Sequence, residues 1–460
     1  MFLDVQACME ITDVPSTFFG LMMGRMGRGS SRGGHFDCME NLASLSSVHL
    51  YQPMSGEKIG LFYEIISRGF DSYTMPTQIQ TYMVDYRLDS YLDDDLLRAL
   101  VIQPLQKVFK SKLIEISVRH RPQDFSKSFC LEGDEIDVSI WIKLYNKHLP
   151  KDQHVLLTLT VELPREIEES IILEDGFSLE EALKTSLTTN FPETSGSFFP
   201  AIKRTLKDSP YLRSSDNRLM EYKYEKVLFS DQSPYQFVQI VQTLDFGPLL
   251  ILDGYANYAE SDKETYTHML MNLPHEDYSG KEVLILGGGD GALIQELFAL
   301  ENPPSFVTMV DIDAMVMDAC NQFMPNVCGK FLDRSNWEGP NHKIIAGDAI
   351  AFMKECLSGP KKFDFIFGDL TDTPVSTTPR DESVWAFLKM ILDMGVNLLK
   401  PNTGKYLTHC NGICVPQSLE AYEKVLANLA GGSCTFTKTT RYVNSFYETW
   451  TYYQIIRNEK

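Results

Sequence analysis

The sequence predicts an α/β fold: a Rossmann-like doubly wound sheet in the C-terminal half, preceded by a small β segment and an N-terminal α+β domain. Three observations predict it. From residue 281 to the C-terminus, short apolar strands alternate with helical patterns, as in a parallel sheet with crossover helices. The first of these strands runs straight into a glycine turn, VLILGGGDG at 283–291, the arrangement that opens a helix toward a nucleotide-like ligand. Upstream, period-two strands stand beside helices without that alternation.

The elements follow in order. Residues 1–75 are poorly patterned, and GRMGRGSSRGG at 24–34 reads as flexible linker; its three arginines are too few for a nucleic-acid-binding tail. Residues 76–190 form the α+β domain, ferredoxin-like in outline. It holds a helix over 92–109 that is bent or ended near Pro104, half-buried strands carrying Val138, Ile140 and Ile142 and then Val155, Leu157, Leu159 and Val161, and a second helix over 179–187. The domain carries no chemical motif, so assembly stands beside catalysis as its role. Residues 190–196 (NFPETSG) read as a linker. The β segment, 197–257, has strands at 219–229, 237–243 and 249–252, the last closed by the turn pair Asp253-Gly254. The Rossmann-like domain, 258–460, has strands at 283–286, 306–310, 343–345, 363–367, 405–408, 434–440 and 451–456, with helices at 383–399 and 418–429 and an antiparallel edge at the end.

Composition bounds the function. A chain of 460 residues suggests about three domains. No run of 18 apolar residues predicts a membrane span, and the N-terminus lacks the basic start and apolar core of a secretory signal. Nine cysteines without a CxxC pair point to a reduced, cytoplasmic protein; Cys410 and Cys414 lack a second ligand pair, so no metal is expected. A net charge of −20 repels nucleic acid and anionic membranes and attracts polycations, although it also serves solubility alone.

Acids recur where ligands bind such sheets, at the C-terminal strand ends. Asp290 lies within the turn formed by Gly287, Gly288 and Gly289; Asp311 and Asp313 follow the second strand, Asp348 the third, and Asp369 and Asp372 the fourth. Asp311, 24 residues beyond Gly287, is placed to accept ribose hydroxyls. Asp313 is its neighbour or a helix cap. Asp348 can accept from an adenine amino group, with the Ala349 N–H beside it. Asp290 and Asp369 then remain to face a cation. A dinucleotide dehydrogenase is disfavoured, because Asp290 stands where a pyrophosphate would sit. A methyltransferase-type sheet has the same architecture, but Asp290 would repel the carboxylate of AdoMet. Decarboxylated AdoMet, with an ammonium and no carboxylate, is the nucleoside this loop admits.

The motif VLILGGGDGALIQE (283–296) resembles the signature of the polyamine aminopropyltransferases, the spermidine and spermine synthases. RLMEYKYEKVLFSDQSPYQ (218–236), FGPLLILDG (246–254), AESDKETYTHML (259–270), FGDLTDTPVSTTP (367–379) and SFYETW (445–450) are similar to the same family, so the resemblance runs from about residue 197 to the C-terminus. DLT followed by P-x-S-T-x-P is more similar to spermine synthases than to the DSSDP form of spermidine synthases. The resemblance implies transfer of the aminopropyl group of decarboxylated AdoMet to spermidine, giving spermine and methylthioadenosine, with no prosthetic group and no metal. Putrescine, as in a spermidine synthase, is the alternative acceptor; outside the class stand an AdoMet-dependent methyltransferase and an inactive dimerising scaffold. The resemblance also implies a homodimer formed through the N-terminal domain, which is similar in placement to an AdoMet decarboxylase-like domain.

Carried over residue by residue, it gives Gln236 the nucleoside, Asp311 the ribose with Asp313 nearby, Asp348 and Ala349 the adenine, and Asp290 the aminopropyl ammonium. Tyr266 is placed beside the acceptor amine, Asp369 is the general base, and Glu448 binds a distal amine. Three positions depart from the spermine synthase pattern: Phe446 replaces a tyrosine, Asp311 a glutamate, and Asp372 is a second acid that spermidine synthases often carry. His268 and His409 read as structural or surface residues. Met309, Met315, Met317 and Met324 read as lining the core and nucleoside pocket.

Overall fold

The structure, a computed structural model, describes residues 78–458 apart from 91, 122–125, 135, 146–154, 168–178, 207–208 and 371–381. The segment 1–75 and Asp372, with Thr371 of the DLT run and the P-x-S-T-x-P run after it, lie outside the described residues. No helix among the described residues is long and apolar enough to cross a membrane.

Six strands make the N-terminal sheet: β1 (Ile79–Leu88), β2 (Leu113–Arg121), β3 (Ser126–Gly133), β4 (Ser139–Tyr145), β5 (Val155–Pro164) and β6 (Ser195–Arg204). Their order is β2-β3-β4-β5-β1-β6, and every pair is antiparallel. The expected 92–109 helix is a continuous helical path in three pieces: Asp94–Leu97, a wider π turn Arg98–Ile102, and α1 (Gln103–Phe109). The π turn falls just where the Pro104 ring would clash with the carbonyl four residues back, so the path widens there and continues. Asp93 starts it, accepting the Leu96 N–H at 2.8 Å. With α2 (Leu179–Asn190) these helices bury one sheet face around Val84, Leu105, Leu131, Ile140, Leu157 and Leu183. Each fully buried leucine there contributes about 1.5–3 kcal/mol.

Two boundaries differ from expectation. Asn190 ends α2 and Ser195 already begins β6, which pairs with β1, so the expected 190–196 linker is shorter and the α+β sheet extends to Arg204 rather than ending at 190. The expected strand 219–229 is broken into β8 (Leu219–Glu221), which pairs with β7 (Tyr211–Arg213), and β9 (Tyr224–Gln232). The break lies at Tyr222, which turns inward against Phe246 and Tyr447. β9, β10 (Phe237–Thr243), β11 (Gly247–Leu252) and β12 (Tyr255–Ala259) form an antiparallel sheet in the order β12-β11-β10-β9.

The C-terminal sheet contains β13 (Glu282–Gly287), β14 (Phe306–Asp311), β15 (His342–Ala346), β16 (Phe365–Asp369), β17 (Lys405–Gly412), β18 (Cys434–Val443) and β19 (Glu448–Arg457). Their order is β15-β14-β13-β16-β17-β19-β18. The first five are parallel, and β19 runs antiparallel to both β17 and β18. Helices α3 (Ala292–Ala299), α4 (Ala314–Phe323), α5 (Ala349–Leu357), α6 (Glu382–Leu398) and α7 (Pro416–Ala427) intervene. This is a Rossmann-like, methyltransferase-type sheet. One core, with Val283, Ile285, Met309 and Phe367, covers one face; Leu284, Leu286, Ile366 and Leu392 belong to the other. Because β14 and β15 lie on one side of β13 and β16 and β17 on the other, strand order reverses between β13 and β16, which is where such sheets open a crevice.

Candidate active site

The crevice begins with a backbone contact. Gly287 is the register partner of Asp369 across β13 and β16. Its φ is +85°, and a Cβ there would lie 2.0 Å from the Asp369 carbonyl oxygen; the Gly288 N–H donates to that oxygen at 3.1 Å. The glycine needed at this point therefore serves the neighbouring strand as well as any ligand. At Gly289 a Cβ would lie 2.8 Å from Asp311 Oδ2.

The glycine turn delivers Asp290 to a buried position at the start of α3, where Oδ1 accepts the Ala292 N–H at 2.7 Å. Burial, then the negative charge of Asp369, pushes the Asp290 carboxyl up to about 7. Burial likewise pushes Asp311 up to about 6, although its Oδ1 accepts the Asp313 N–H at 2.8 Å. Asp290, Asp311 and Asp369 thus crowd one space, and among the described residues no lysine or arginine forms an ion pair with any of them.

The other strand-end residues are arranged differently. Asp313 is a cap: Oδ1 accepts the Met315 N–H at 3.0 Å, opening α4. Its Oδ2 accepts Ser233 Oγ at 2.7 Å and Gln236 Nε2 at 3.0 Å, so Gln236 spends an amide hydrogen clipping the β9–β10 turn to α4. Asp348 is exposed and caps α5 through the Ile350 N–H at 2.8 Å, with Ala349 as the first residue of that helix.

Asp369 is gripped from one side. Tyr266, in the π turn Lys263–Thr267, donates its hydroxyl to Asp369 Oδ1 at 2.6 Å. Burial, reinforced by Asp369, raises the Tyr266 phenol well above its ordinary value, so it is a donor and not a base. Its ring meets those of Tyr258, His409, Phe446, Trp450 and Tyr452 with centroids 5.6–6.2 Å away. Oδ2, by contrast, lies toward the glycine turn, 3.7 Å from where a Gly288 Cβ would be.

Glu448, which begins β19, is neither solvated nor unengaged. It is 4% exposed, Oε1 accepts the Ser215 N–H at 2.8 Å, the Ser215 hydroxyl donates to Oε2, and Arg218 lies 3.7 Å from Oε1. Phe446 packs on Trp450 with centroids 4.7 Å apart.

Several groups at the site were not singled out in the sequence. Asp262 is fully buried; it accepts the Ala259 N–H at 2.8 Å and the Ser445 hydroxyl, while Tyr222 donates to the Ser445 carbonyl at 2.5 Å. Burial pushes Asp262 up to about 6. This chain holds the segment bearing Phe446 against the turn bearing Tyr266. Its signal lay inside AESDKETYTHML, where an acid four residues before Tyr266 falls on the same helical face. His409 is not a surface residue: it is 6% exposed beside Asp369. His268 is structural, with Nε2 2.7 Å from Glu296 Oε2. Met309, Met317 and Met324 are fully buried in the core, and Met315 packs partly against it.

Comparison with known proteins agrees with this geometry. Residues 263–460 match the spermine/spermidine synthase domain and residues 211–260 the spermidine synthase tetramerisation domain, together more than half of the chain. Spermidine synthase 2 of Arabidopsis thaliana is 35% identical over 151 residues, 33% of this chain and 42% of that protein. Spermidine synthase 1 of Datura stramonium is 32% identical over 222 residues, covering 47% and 66%. Polyamine aminopropyltransferase of Yersinia pestis (strain Pestoides F) is 29% identical over 237 residues, covering 48% and 74%. Among solved structures, spermidine synthase of Thermotoga maritima aligns over 54% of this chain and 79% of that chain, at 18% identity and a TM-score of 0.43. The matches with the two plant enzymes thus span less than two thirds of their length. By the two matched domains, and by the run of motifs that they contain, the chain belongs to the spermine/spermidine synthase family.

Proposed function

We propose that this protein is a polyamine aminopropyltransferase that uses decarboxylated AdoMet as co-substrate, with no prosthetic group. The observation that carries the reading is the trio of clustered carboxylates, Asp290 buried and Asp311 and Asp369 partly so, with no lysine or arginine paired to them among the described residues. Such a site gains most from a ligand that brings its own positive charge. A sulfonium nucleoside with an aminopropyl ammonium does so.

In this reading Asp311 takes the ribose hydroxyls and Asp290 the ammonium. Asp348 and Ala349 take the adenine edge. Gln236 borders the nucleoside and holds the Asp313 cap. The amine nitrogen of the acceptor attacks the CH₂ bonded to sulfur. The C–S bond breaks with both electrons passing to sulfur, which leaves as neutral methylthioadenosine. The new C–N bond makes the nitrogen cationic, and Asp369 takes its proton. With Oδ1 held by Tyr266, Oδ2 is the oxygen left for that proton. A sulfonium departs without acid assistance, so positioning and proton removal are what the protein must supply.

The acceptor we favour is the short diamine putrescine. The plant relatives carry the name spermidine synthase, Phe446 has no hydroxyl, and Glu448 is occupied by Ser215 and Arg218 rather than free for a distal amine. The DLT and P-x-S-T-x-P run supports the other acceptor, spermidine, with spermine as product. One assay decides: decarboxylated AdoMet is supplied with putrescine or spermidine and the products are separated. Spermidine formation supports the first acceptor and spermine formation the second. Methyl transfer from AdoMet, with no product from decarboxylated AdoMet, overturns the class.

A homodimer through the N-terminal domain fits the same reading. Trp141, Met83 and Phe199, 45%, 38% and 42% exposed, lie in one cross-strand row on the outer face of the β1–β6 sheet, with Thr160 between Trp141 and Met83, a largely apolar row suited to a second copy.

A further inference from the structure

His409 sits on β17 with its ring between Tyr266 and Trp450, at centroid distances of 5.6 and 5.2 Å. Nε2 is 3.5 Å from Asp369 Oδ1, the oxygen that also accepts from Tyr266. Nδ1 is fully buried and has no hydrogen-bond partner. Buried polar atoms in native structures are matched by protein, by ordered water or ions, or by a ligand, so this one calls for a partner.

The tautomer follows from the neighbours. Facing a carboxylate, Nε2 carries the hydrogen, and neutral imidazole then has its lone pair on Nδ1. The titratable groups packed on the ring are Asp369 from β16 and the Tyr266 phenol from its turn; Trp450 comes from β19. Trp450, packed on that ring, also has a buried polar atom without a partner, Nε1, but an indole N–H is a donor only. An entering amine offers hydrogens and needs acceptors. Phe446 offers none.

We propose that His409 is a specificity contact for the acceptor amine, its Nδ1 lone pair accepting an N–H of the polyamine while Nε2–H faces Asp369. This rests on the aminopropyltransferase reading and extends it to a residue outside the strand-end acids. The partner chemistry is a primary alkylamine held beside Asp369 and enclosed by the rings of Tyr266 and Trp450.

The test measures KM for the acceptor and for decarboxylated AdoMet separately, with methylthioadenosine binding as a check on the site. His409→Leu is expected to raise the acceptor KM at least tenfold and to change methylthioadenosine affinity less than twofold. His409→Asn, whose side-chain oxygen can stand at the Nδ1 position, is expected to restore the acceptor KM to within about threefold of the original. An acceptor KM unchanged in His409→Leu overturns the proposal. Should His409→Leu lose methylthioadenosine binding, the comparison passes to His409→Asn and His409→Gln. Asn closer to the parent than Gln supports the Nδ1 contact, and equal or reversed behaviour overturns it. A parent protein inert toward every amine overturns the aminopropyltransferase reading itself, a result distinct from an active parent with an unaffected His409→Leu variant.

Discussion

Gly287 and Asp369 are partners in register, and no β-carbon fits between them: one built on Gly287 would stand 2.0 Å from the Asp369 carbonyl oxygen. The residue that starts the glycine turn and the residue assigned as base are thus set by one packing contact.

Gly287→Ala must relieve that contact by moving β16 and must also hold alanine at φ +85°. Overpacking of this kind costs about 1–3 kcal/mol, and the left-handed backbone adds about 1–2. We expect kcat to fall more than about 100-fold, because a displacement near 1 Å is enough for that. Gly254→Ala is the control: its φ is +78° but nothing lies within 4 Å of the added carbon. It should lose about 1–2 kcal/mol and keep its activity. Thermal melts and steady-state rates on both variants decide.

Asp369→Asn removes the proton acceptor and keeps the shape. We expect kcat to fall about 10²–10⁴-fold with methylthioadenosine binding nearly unchanged. Tyr266→Phe removes only the hydroxyl that holds Oδ1, so a milder loss of roughly tenfold is expected, within the range of one hydrogen bond to a charged group. Near-normal turnover in Asp369→Asn refutes its role as base.

The Asp290 carboxyl, held up to about 7 against an ordinary 3.8, makes a prediction about pH. Between about 4 and 7 the folded protein keeps a proton that the unfolded chain has released. Its contribution to ligand-free stability therefore falls as pH rises through that window and levels off above it. A cationic nucleoside favours the ionised form, so its binding near pH 6–7 should release protons and tighten as pH rises. Neutral methylthioadenosine should release far fewer. Calorimetry in two buffers of different ionisation enthalpy reads this directly; equal proton release for both ligands would refute it.

Trp141→Glu places a charge in the exposed, largely apolar row of the N-terminal sheet. If that face joins two copies, the variant should sediment as a smaller species than the parent at the same concentration while its thermal melt moves little. An unchanged sedimentation coefficient, or a parent that is already monomeric, rules the interface out.

Much of this protein was legible in the sequence alone. The alternation of strands and helices after residue 281, the turn that puts Asp290 at the head of α3, and the recurrence of acids at strand ends are local patterns, and local patterns survive without tertiary context. The domain's elements fall within a few residues of where periodicity placed them. Period two also found β4 and β5. It missed β1 and β6, which join each other across more than one hundred residues, and also β2 and β3, although these two pair as chain neighbours from Arg121 and Ser126 onward.

Which polar groups are spent and which are free was set by long-range packing. Sequence could name Gln236, Asp313 and Glu448, but not that Asp313 takes Gln236 and Ser233, or that Glu448 takes Ser215 from 233 residues away. It placed His409 among structural or surface residues, whereas packing buries it against Asp369. The physical reason is that composition and spacing determine which side chains reach a strand end, while burial sets the cost of charge. Burial depends on every chain segment that closes over the site, and so do the Asp290 carboxyl near 7, the donor role of Tyr266 and the unmatched Nδ1 of His409.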